Sequence, residues 1–504
     1  MPDLDKPGSG ASPRALMIQG TGSDVGKSLL VAGLGRAFTR RGLRVRPFKP
    51  QNMSNNAAVT IEGGEIGRAQ ALQAKAMNAD LTVHMNPVLL KPQSDVGAQV
   101  IVQGHMEGTA QARDYHVLKP KLLPRVLESF HMIASDTDLV LVEGAGSPAE
   151  ANLRDGDIAN MGFAEAAGVP VVLCADIERG GVLASLIGTH ALLSVSERGR
   201  TKGYIVNKFR GDPGLFDDAL TIIKDKCGLD CFGIVPFFDA ARLLPKEDAV
   251  SIGYDTDDAS AIKIAVPRLN RIANFDDLDP LAAEPGVSVE IIQPGHAIPG
   301  YADAVIIPGS KSTLADLAQI RAGGWDVDIA AHHRRGGLVV GLCGGYQMLG
   351  TRVADPGGIE GTPSEADGLG LLDIETILEG EKTLGEVAGS DIATGEAVRG
   401  YEMHIGNTTG AGLKSPLLTI DGRNEGARSN DGRVMGTYLH GLFNADGFRH
   451  AFLKSLGHQG GIAYDALVEQ TLDALADHLE THLDLDALLA AAEEVKTAEL
   501  SATG

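Results

Sequence analysis

Residues 20–28 read Gly-Thr-Gly-Ser-Asp-Val-Gly-Lys-Ser and directly follow an apolar run at residues 15–18, Ala-Leu-Met-Ile. An apolar strand that ends in a glycine-rich turn and Lys-Ser is typical of a phosphate-binding loop at the start of a helix. The strict pattern has its first glycine where this chain has Thr21, and the glycine stands one residue earlier, at Gly20. We therefore expect a variant phosphate loop. The alternative is a glycine-rich turn that binds no ligand.

Four residues in this stretch supply what phosphate binding requires. Gly22 and Gly26 leave backbone N–H groups accessible at the N-terminus of the following helix, where an anion is favoured. Lys27 carries a positive charge for the phosphate, and Ser28 carries a hydroxyl for magnesium. The loop therefore predicts a phosphate site with Mg²⁺.

Length and composition restrict the classes of function. A chain of 504 residues is too long for one ordinary core, so about two or three domains are expected. The 44 Lys and Arg residues against 66 Asp and Glu give a net charge of −22, which argues against a nucleic-acid partner or an anionic membrane surface. The four cysteines show no disulfide framework and no apolar run is long enough for a membrane span, so we expect a cytoplasmic protein.

Polar side chains end three further apolar runs of the first half. Lys49 can reach a phosphate, and the amide-rich loop at residues 50–56 can orient a substrate or be only a turn. Glu143 would be a buried carboxylate that needs a partner, for which we expect magnesium, with helix capping as the alternative. Asn207 carries an amide suited to reading a base edge.

Apolar runs alternate with helical patterns over this half, which predicts an α/β fold with a doubly wound parallel sheet. Helices are expected at residues 66–77 and 118–134, with a less regular stretch from 77 to about 103. Regularity fades again between residues 236 and 261, and this segment is the candidate linker.

Four more apolar runs follow, at residues 262–266, 287–292, 304–308 and 337–343, and they predict a second parallel sheet. From about residue 446 the pattern is helical. A stripe with spacings of three and four is expected to pack on the second domain and comprises Val468, Leu472, Leu475, Leu479 and Leu483. Residues 493–504 are expected to be loose.

Residues 338–345 have the pattern of a nucleophile elbow, in which a strand runs straight into Cys343 and glycines relieve crowding at a sharp turn. The N-terminus of a helix favours the thiolate, which is the nucleophilic form. A lone buried cysteine is the alternative. For the oxyanion hole we expect one N–H from Gly309 or Ser310 and another from Gly344.

A cysteine nucleophile needs a base, and two histidines compete for that role. His440 lies at the end of an apolar run in Gly-Thr-Tyr-Leu-His-Gly-Leu-Phe, and His404 lies in Gly-Tyr-Glu-Met-His-Ile-Gly. We choose His440 as the base, although the sequence alone does not separate it from His404.

The first half resembles the dethiobiotin-synthetase-like branch of phosphate-loop enzymes in four segments: residues 20–28, Phe-Lys-Pro-Gln-Asn at 48–52, Val-Glu-Gly-Ala-Gly at 142–146 and Val-Asn-Lys at 206–208. That branch has the same one-residue-longer loop. The resemblance implies that Lys27 and Ser28 bind phosphate and magnesium, that Glu143 assists the metal and that Asn207 contacts adenine. These enzymes activate a carboxylate with ATP.

The second half resembles the class I, cysteine-triad glutamine amidotransferases, and among them the cobyric acid synthase group, in four segments: Pro-Gly-Ser-Lys at 308–311, Gly-Leu-Cys-Gly-Gly-Tyr-Gln-Met-Leu-Gly at 341–350, and the two histidine segments at 400–406 and 437–443. Typical class I domains carry a Glu two residues after the histidine, whereas this chain has Leu442 there. The group is similar in this respect, so the third member of the triad stays undetermined.

Together the resemblances cover roughly residues 15–450 and imply a P-loop NTPase-like domain followed by a flavodoxin-like amidotransferase domain. The expected division is a disordered leader at 1–14, a synthetase domain at 15–238, a linker at 239–260, an amidotransferase domain at 261–450 and a helical segment at 451–504.

The implied activity is a ligase that uses ATP, Mg²⁺ and L-glutamine. It would amidate the b, d, e and g carboxylates of adenosylcobyrinic acid a,c-diamide. One alternative is a cobyrinic acid a,c-diamide synthase. Three segments argue against it: Gly-Ser-Pro-Ala-Glu-Ala-Asn at 146–152, Pro-Gln-Asn at 50–52 and the short Pro-Gly-Ser-Lys turn at 308–311. Another is a phosphate-loop regulatory protein with an inactive amidotransferase domain, against which Cys343 argues.

Overall fold

The structure, a computed structural model, describes residues 12–93, 97–246 and 261–496, except for the side chains of residues 112 and 113. Two α/β units follow each other along the chain, each built on one parallel sheet. We call residues 12–246 the N-terminal unit and residues 261–462 the second unit.

The strands of the N-terminal unit are β1 (Arg14–Gly20), β2 (Val45–Phe48), β3 (Gln51–Met53), β4 (Ala57–Val59), β5 (Glu65–Gly67), β6 (Val88–Pro92), β7 (Gly97–Val102), β8 (His105–Gln111), β9 (Leu139–Glu143), β10 (Val171–Asp176), β11 (Thr201–Phe209) and β12 (Asp230–Pro236). Its α-helices are α1 (Lys27–Arg40), α2 (Arg68–Ala76), α3 (Ala112–Ser135), α4 (Met161–Ala167), α5 (Val182–Leu192), α6 (Val195–Arg200) and α7 (Asp217–Cys227).

The main sheet of this unit has the order β12-β11-β10-β1-β9-β2, and all neighbouring strands in that order are parallel. Its central strands are buried on both faces, as every residue of β9 illustrates, and this explains their continuous apolar sequences. The carboxyl ends of β1 and β9 therefore bring the glycine-rich loop and Glu143 to one edge, as the doubly wound reading predicts.

One element prediction in this unit is wrong. The stretch from 77 to about 103, expected to be irregular, contains β6 and β7, which form a small sheet with β3 and β8. The β7–β8 turn is Gln103-Gly104, both with positive φ, and lacks the usual Asn-Gly signal. Both expected helices are present with shifted starts. Helix α2 begins at Arg68 and not at 66, because residues 65–67 form β5. Helix α3 begins at residue 112 and not at 118, and it continues through Pro120 and Pro124.

The second unit contains β13 (Ile262–Pro267), β14 (Ile272–Ala273), β15 (Val287–Ile292), β16 (Ala304–Ile307), β17 (Gly309–Ser310), β18 (Leu338–Leu342), β19 (Arg352–Asp355), β20 (Ser364–Asp367), β21 (Glu375–Ile377), β22 (Thr383–Asp391), β23 (Ala397–His404), β24 (Asn407–Thr409), β25 (Leu418–Ile420), β26 (Arg423–Glu425), β27 (Ala427–Arg428), β28 (Val434–Thr437) and β29 (Leu439–His440). Its α-helices are α8 (Asp279–Ala282), α9 (Thr313–Ala322), α10 (Trp325–Arg334), α11 (Gly344–Met348) and α12 (Asp446–Ser455). The chain continues with α13 (Tyr464–His482), α14 (Leu485–Ala491) and β30 (Glu493–Glu494).

The main sheet of the second unit has the order β15-β13-β16-β18-β28-β27. The four apolar runs expected as strands are β13, β15, β16 and β18, and they pair in parallel. Strand β28 adds to this parallel set and β27 closes the edge in antiparallel direction. The second parallel sheet is thus confirmed, and β18 ends directly before Cys343.

The C-terminal stripe packs on the N-terminal unit, so its expected packing on the second domain is wrong. Leu472, Leu475 and Leu479 of α13 share one buried cluster with residues of α1. A side chain at Gly33 of α1 would lie 2.6 Å from Leu479 Cδ1 and 2.8 Å from Leu475 Cγ, so the glycine permits the close approach. Arg36 of α1 adds ion pairs to α13. Periodicity shows which face of a helix is buried, but not against what.

The two ends of the described chain meet at the main sheet. β30 pairs antiparallel with the start of β1, at Arg14 and Ala15, and the N–H of Val495 donates to the Pro13 carbonyl at 2.7 Å. Arg14 therefore belongs to the sheet, and residues 493–496 are ordered where a loose segment was expected. Residues 1–11 and 497–504 lie outside the described residues.

The junction between the units falls between Pro236 of β12 and Ile262 of β13. Residues 239–243 form a short 3-10 helix, and the rest of the expected linker, residues 247–260, lies outside the described residues. The division into domains at these boundaries stays our proposal. No helix in the described part of the chain is both long and apolar enough to cross a membrane.

Candidate active sites

The glycine-rich loop connects β1 to α1 and encloses the Lys27 ammonium. Lys27 Nζ donates to the carbonyls of Gly22 at 3.0 Å and Gly146 at 3.1 Å. Gly26 has φ 95°, a conformation that favours glycine, and a side chain at Gly20 would lie 2.8 Å from Lys27 Nζ. The loop thus has the small residues and the central cation that a phosphate requires.

Glu143 receives three hydrogen bonds beside this loop. Its Oε1 accepts from the Ser28 hydroxyl at 2.7 Å and from Lys49 Nζ at 2.8 Å, and its Oε2 accepts from Gln73 Nε2 at 2.6 Å. Glu143 is 1% exposed, so these partners stabilise a buried carboxylate. The sequence pattern predicted Ser28, Lys49 and Glu143 at this site but not Gln73, for which the only signal was an amide in an alanine-rich helix.

The Ser28 hydroxyl and the Glu143 carboxylate fit a magnesium ion. Both are hard oxygen donors, and Mg²⁺ is commonly held by one or two protein oxygens together with phosphate oxygens. Within residues 12–93, 97–246 and 261–496, no group of three or more His, Cys, Asp or Glu side chains forms a cage for a metal. A metal at this edge would therefore depend on the phosphates for further ligands.

Asn207 lies behind the phosphate loop. Its Nδ2 donates to the Val25 carbonyl at 2.9 Å, and a side chain at Gly26 would lie 2.3 Å from the same atom. Asn207 is 6% exposed, so in this structure its amide holds the loop. The contact between Asn207 and adenine stays a prediction.

A cavity of about 1080 Å³ opens at the carboxyl edge of the first main sheet. One end is formed by the phosphate loop and Glu143. The other is formed by the small sheet and α3, where the lining includes Leu90, Val100, Tyr115 and Lys119. This volume lies slightly above the usual range for ligand pockets, about 300–1,000 Å³.

Cys343 has the geometry of a nucleophile elbow. It connects β18 to α11 with φ 49° and ψ −107°, a strained conformation for a residue with a side chain. A side chain at Gly345 would lie 2.1 Å from the Ile307 carbonyl and one at Gly341 would lie 2.7 Å from the Gly345 carbonyl, so the turn needs both glycines. Cys343 is half-buried at the N-terminus of a short helix.

A small cavity of about 30 Å³ brings the predicted glutaminase residues together. Cys343, His440, Gly309 and Ser310 all line it. A side chain at Gly344 would lie 3.0 Å from the Ser310 backbone nitrogen, which places Gly344 and the β17 turn side by side. This position beside the thiol is the one that oxyanion donors require, and their role stays a prediction.

His440 contacts a carboxylate that the sequence pattern did not predict. Its Nδ1 lies 2.7 Å from Asp277 Oδ2, and the N–H of Gly441 donates to Asp277 Oδ1 at 2.6 Å. Burial lowers the pKa of His440, but the Asp277 carboxylate and Cys343 outweigh this effect and raise it to about 10. The raised pKa favours the protonated form of the His440 imidazole, which lines the small cavity together with Cys343.

His404 occupies a different environment. Its ring stacks on Tyr438, with ring centroids 3.6 Å apart, and its Nδ1 is buried with no hydrogen-bond partner among the described residues. Burial and the nearby His440 lower its pKa to about 4. A neutral ring outside the lining of the small cavity favours His440 as the base.

The carboxylate that contacts His440 comes from far upstream in the chain. Asp277 lies in a 3-10 helix at residues 275–278, 163 positions before His440. Leu442, at the usual position of the acid, is 1% exposed and packs in the core of the second unit. The available signal was the segment Asn-Phe-Asp-Asp-Leu-Asp at 274–279, because several acids inside an apolar context need buried partners.

Two family descriptions match this chain. A CobQ/CobB/MinD/ParA nucleotide binding domain matches residues 16–252, and a CobB/CobQ-like glutamine amidotransferase domain matches residues 263–448. These matches cover the phosphate loop and the Cys343 elbow respectively. The N-terminal unit is accordingly a nucleotide-binding unit.

Curated relatives match nearly the whole chain. The cobyric acid synthase of Cereibacter sphaeroides is 60% identical over 95% of this chain and 99% of its own length. That of Methylorubrum populi is 61% identical over 94% of this chain and 98% of its own length. Among solved structures, septum site-determining protein MinD with Mg-ADP from Pyrococcus horikoshii OT3 aligns with 45% of this chain and 84% of its own, with 16% identity and a TM-score of 0.26, too low to bear on function. The identity and coverage of the curated relatives show that the chain belongs to the cobyric acid synthase family.

Proposed function

We propose that this chain is a glutamine-hydrolysing ligase that amidates the b, d, e and g carboxylates of adenosylcobyrinic acid a,c-diamide at the expense of ATP. The observation that carries this proposal is the presence, in one chain, of a Cys343–His440–Asp277 arrangement and a phosphate loop that contacts Glu143. The first can release ammonia and the second can activate a carboxylate.

Ammonia release follows from the chemistry of the small cavity. The Cys343 thiolate attacks the side-chain carbonyl carbon of L-glutamine, and the developing oxyanion lies beside Gly309 and Gly344. The carbon–nitrogen bond breaks as His440 gives its proton to the leaving nitrogen, which yields ammonia and a thioester. Water, deprotonated by His440, then hydrolyses the thioester to glutamate. Asp277 keeps the imidazole oriented throughout.

Carboxylate activation is assigned to the phosphate loop. Bound ATP with Mg²⁺ supplies the phosphoryl group that converts a carboxylate into an acyl phosphate, from which ammonia can displace phosphate. Lys27 lies where it can neutralise charge on the transferred group, and Ser28 and Glu143 offer the oxygens for the metal. Lys49 and Gln73 keep the Glu143 carboxylate in place.

The distal part of the large cavity is the proposed corrinoid site. Apolar side chains of the small sheet form its floor, and Gln51, Tyr115, Lys119 and Arg154 supply polar groups around it. Tyr115 donates a hydrogen bond to Gln51 Oε1 at 2.6 Å, so both polar groups are held in place. An apolar surface surrounded by amide donors and cations suits a macrocycle that carries amide and carboxylate arms.

Strand β6 lies between the two cavities. Leu90 and Pro92 of β6 line the large cavity, whereas Lys91 between them lines the small one. Successive residues of a strand point to opposite faces, so β6 presents one face to each cavity. Ammonia released at Cys343 would cross the layer that β6 forms to reach the activated carboxylate.

Two other functions make different predictions. A cobyrinic acid a,c-diamide synthase would amidate the a and c carboxylates, but the relatives that match nearly the whole chain bear the name cobyric acid synthase. A regulatory protein with an inactive amidotransferase domain would not need the Asp277 carboxylate on His440 or the strained backbone at Cys343.

The proposal is tested by incubating the protein with adenosylcobyrinic acid a,c-diamide, ATP, Mg²⁺ and glutamine, followed by mass spectrometry of the corrinoid. We expect stepwise conversion of the four free carboxylates to amides. Lys27→Ala should remove this conversion and leave glutamine hydrolysis detectable, because the glutaminase residues lie in the second unit. The exposed Lys226→Ala serves as the control and should behave as wild type. Normal amidation by Lys27→Ala would contradict the assignment of the phosphate loop.

A further inference from the structure

The base of the glutaminase lies next to a charged residue of the other unit. Arg68, the first residue of α2, forms an ion pair with Asp276, which directly precedes the Asp277 that holds His440. Asp276 is 5% exposed, and its Oδ1 has no hydrogen-bond partner among the residues that the structure describes. This buried carboxylate therefore depends on the Arg68 guanidinium for its stabilisation.

Arg68 reaches the base by a second route. Its guanidinium carbon lies 5.7 Å from the ring centroid of Tyr401, and the Tyr401 ring stacks on His440 with centroids 5.2 Å apart and planes 20° apart. A cation over an aromatic face stabilises the position of that ring. Arg68 is thus in contact with both Asp276 and Tyr401. Asp276 directly precedes Asp277, which orients His440, and Tyr401 stacks on the His440 ring.

The interface around this contact is packed and specific. Ala57 and Leu89 of the N-terminal unit share a buried cluster with Tyr401 and Met403 of the second unit. The N–H of Ala57 also donates to Asn274 Oδ1 at 3.1 Å, three residues before Asp277. Removal of Arg68 would therefore leave a carboxylate unpaired in a place that water cannot readily enter.

The groups around Asp276 have opposite effects on its pKa. Burial raises the pKa of Asp276, Arg68 lowers it, and the neighbouring Asp277 raises it further. Without the guanidinium, Asp276 would take up a proton at higher pH or move away from Asp277. Protonation or displacement of Asp276 would each alter the surroundings of Asp277, the carboxylate that contacts His440.

We propose that Arg68 is a positioning residue for the glutaminase, supplied by the nucleotide-binding unit to fix Asp276 and Tyr401 and, through them, the His440 imidazole. Helix α2 also carries Gln73, which donates to Glu143 at the phosphate loop. Five residues of helix span only about 7.5 Å, so one short helix contacts both sites. The inference rests on the proposed role of His440 as the base.

The test compares Arg68→Met and Arg68→Lys with wild type, and uses Arg36→Met as the matched control. Arg36 also forms ion pairs from the N-terminal unit to the later part of the chain, at Asp473 and Glu469, but it lies on α1 and none of its contacts involves the glutaminase. The measurements are kcat and KM of glutamine hydrolysis across pH, together with amidation driven by ammonium salt in place of glutamine.

For Arg68→Met we expect kcat of glutamine hydrolysis to fall by about threefold to thirtyfold with little change in KM. The acid limb of its pH profile should move to higher pH, because the paired carboxyls lose their cation. Arg68→Lys should keep most of the activity, and ammonium-driven amidation should persist in Arg68→Met. Arg36→Met should hydrolyse glutamine with the wild-type kcat and pH profile.

An unchanged kcat and pH profile in Arg68→Met would overturn the inference. Equal loss of hydrolysis and ammonium-driven amidation would also overturn it, because Arg68 would then be a structural residue of the whole protein. An equal loss of glutamine hydrolysis in Arg36→Met and Arg68→Met would likewise overturn the inference, because the effect would then not be specific to Arg68. Absence of glutamine hydrolysis in the wild type would instead contradict the proposed function itself.

Discussion

Asp277 illustrates how a single carboxylate changes the chemistry of a histidine. His440 is 1% exposed, and burial alone would favour its neutral form. The Asp277 carboxylate at 2.7 Å reverses this and raises the pKa of His440 to about 10, with Cys343 contributing. The imidazolium can then donate a proton to the leaving nitrogen, whereas a neutral ring that keeps its proton on Nδ1 beside Asp277 has none on Nε2.

Asp277→Asn should lower the turnover of glutamine hydrolysis by about a hundredfold or more, because an amide neither stabilises the imidazolium nor fixes its tautomer. The pKa of His440 lies above its usual 6.5, so wild-type activity should be retained at neutral pH and lost as pH rises through about 10. Asp277→Asn removes the carboxylate that raises the pKa of His440, so the loss of activity should occur at lower pH in this variant.

The measurement is the pH profile of glutaminase kcat/KM for Asp277→Asn and wild type. His404→Ala is the control, because its ring lies outside the lining of the small cavity and stacks on Tyr438. A basic limb that does not move in Asp277→Asn, or a larger loss in His404→Ala, would show that Asp277 does not support the base.

Helix α13 shows that an element can belong to a unit distant from it in sequence. It follows the second unit along the chain, yet its buried face lies on α1, which starts at the phosphate loop. Strand β30 then joins the edge of β1. The C-terminal segment thus covers the nucleotide-binding unit and ties the two ends of the described chain together.

Leu475→Ala should lower the free energy of unfolding of the nucleotide-binding unit by about 2–5 kcal/mol, because Leu475 is 1% exposed and fills the space above Gly33. Gln470→Ala, at an exposed position of the same helix, should change it by no more than about 0.5 kcal/mol. Denaturant unfolding of the two variants checks this. Equal stability would mean that α13 does not pack on α1 in solution.

At the scale of the whole molecule, local patterns predicted the two parallel sheets and the residues at their carboxyl edges. The phosphate loop, Glu143 and the Cys343 elbow each depend on a strand and the turn directly after it, and such neighbours are visible in sequence. Asp277, Gln73 and Arg68 were not predicted, because each acts on a partner at least seventy positions away. The predicted packing of α13 on the second domain was wrong for the same reason, because its partner α1 is distant in the sequence.

The central claim is that one chain joins two sites, so that nitrogen from glutamine at Cys343 reaches a carboxylate activated at Lys27. The most direct test supplies glutamine labelled with ¹⁵N in its amide, together with unlabelled ammonium salt, and measures the label in the amidated corrinoid. Wild type should place ¹⁵N in the new amides. Cys343→Ala should make the same amides without label, from ammonium alone, at a pH that provides free ammonia. Unlabelled product from wild type, or a folded Cys343→Ala protein that cannot use ammonia, would contradict the two-site account.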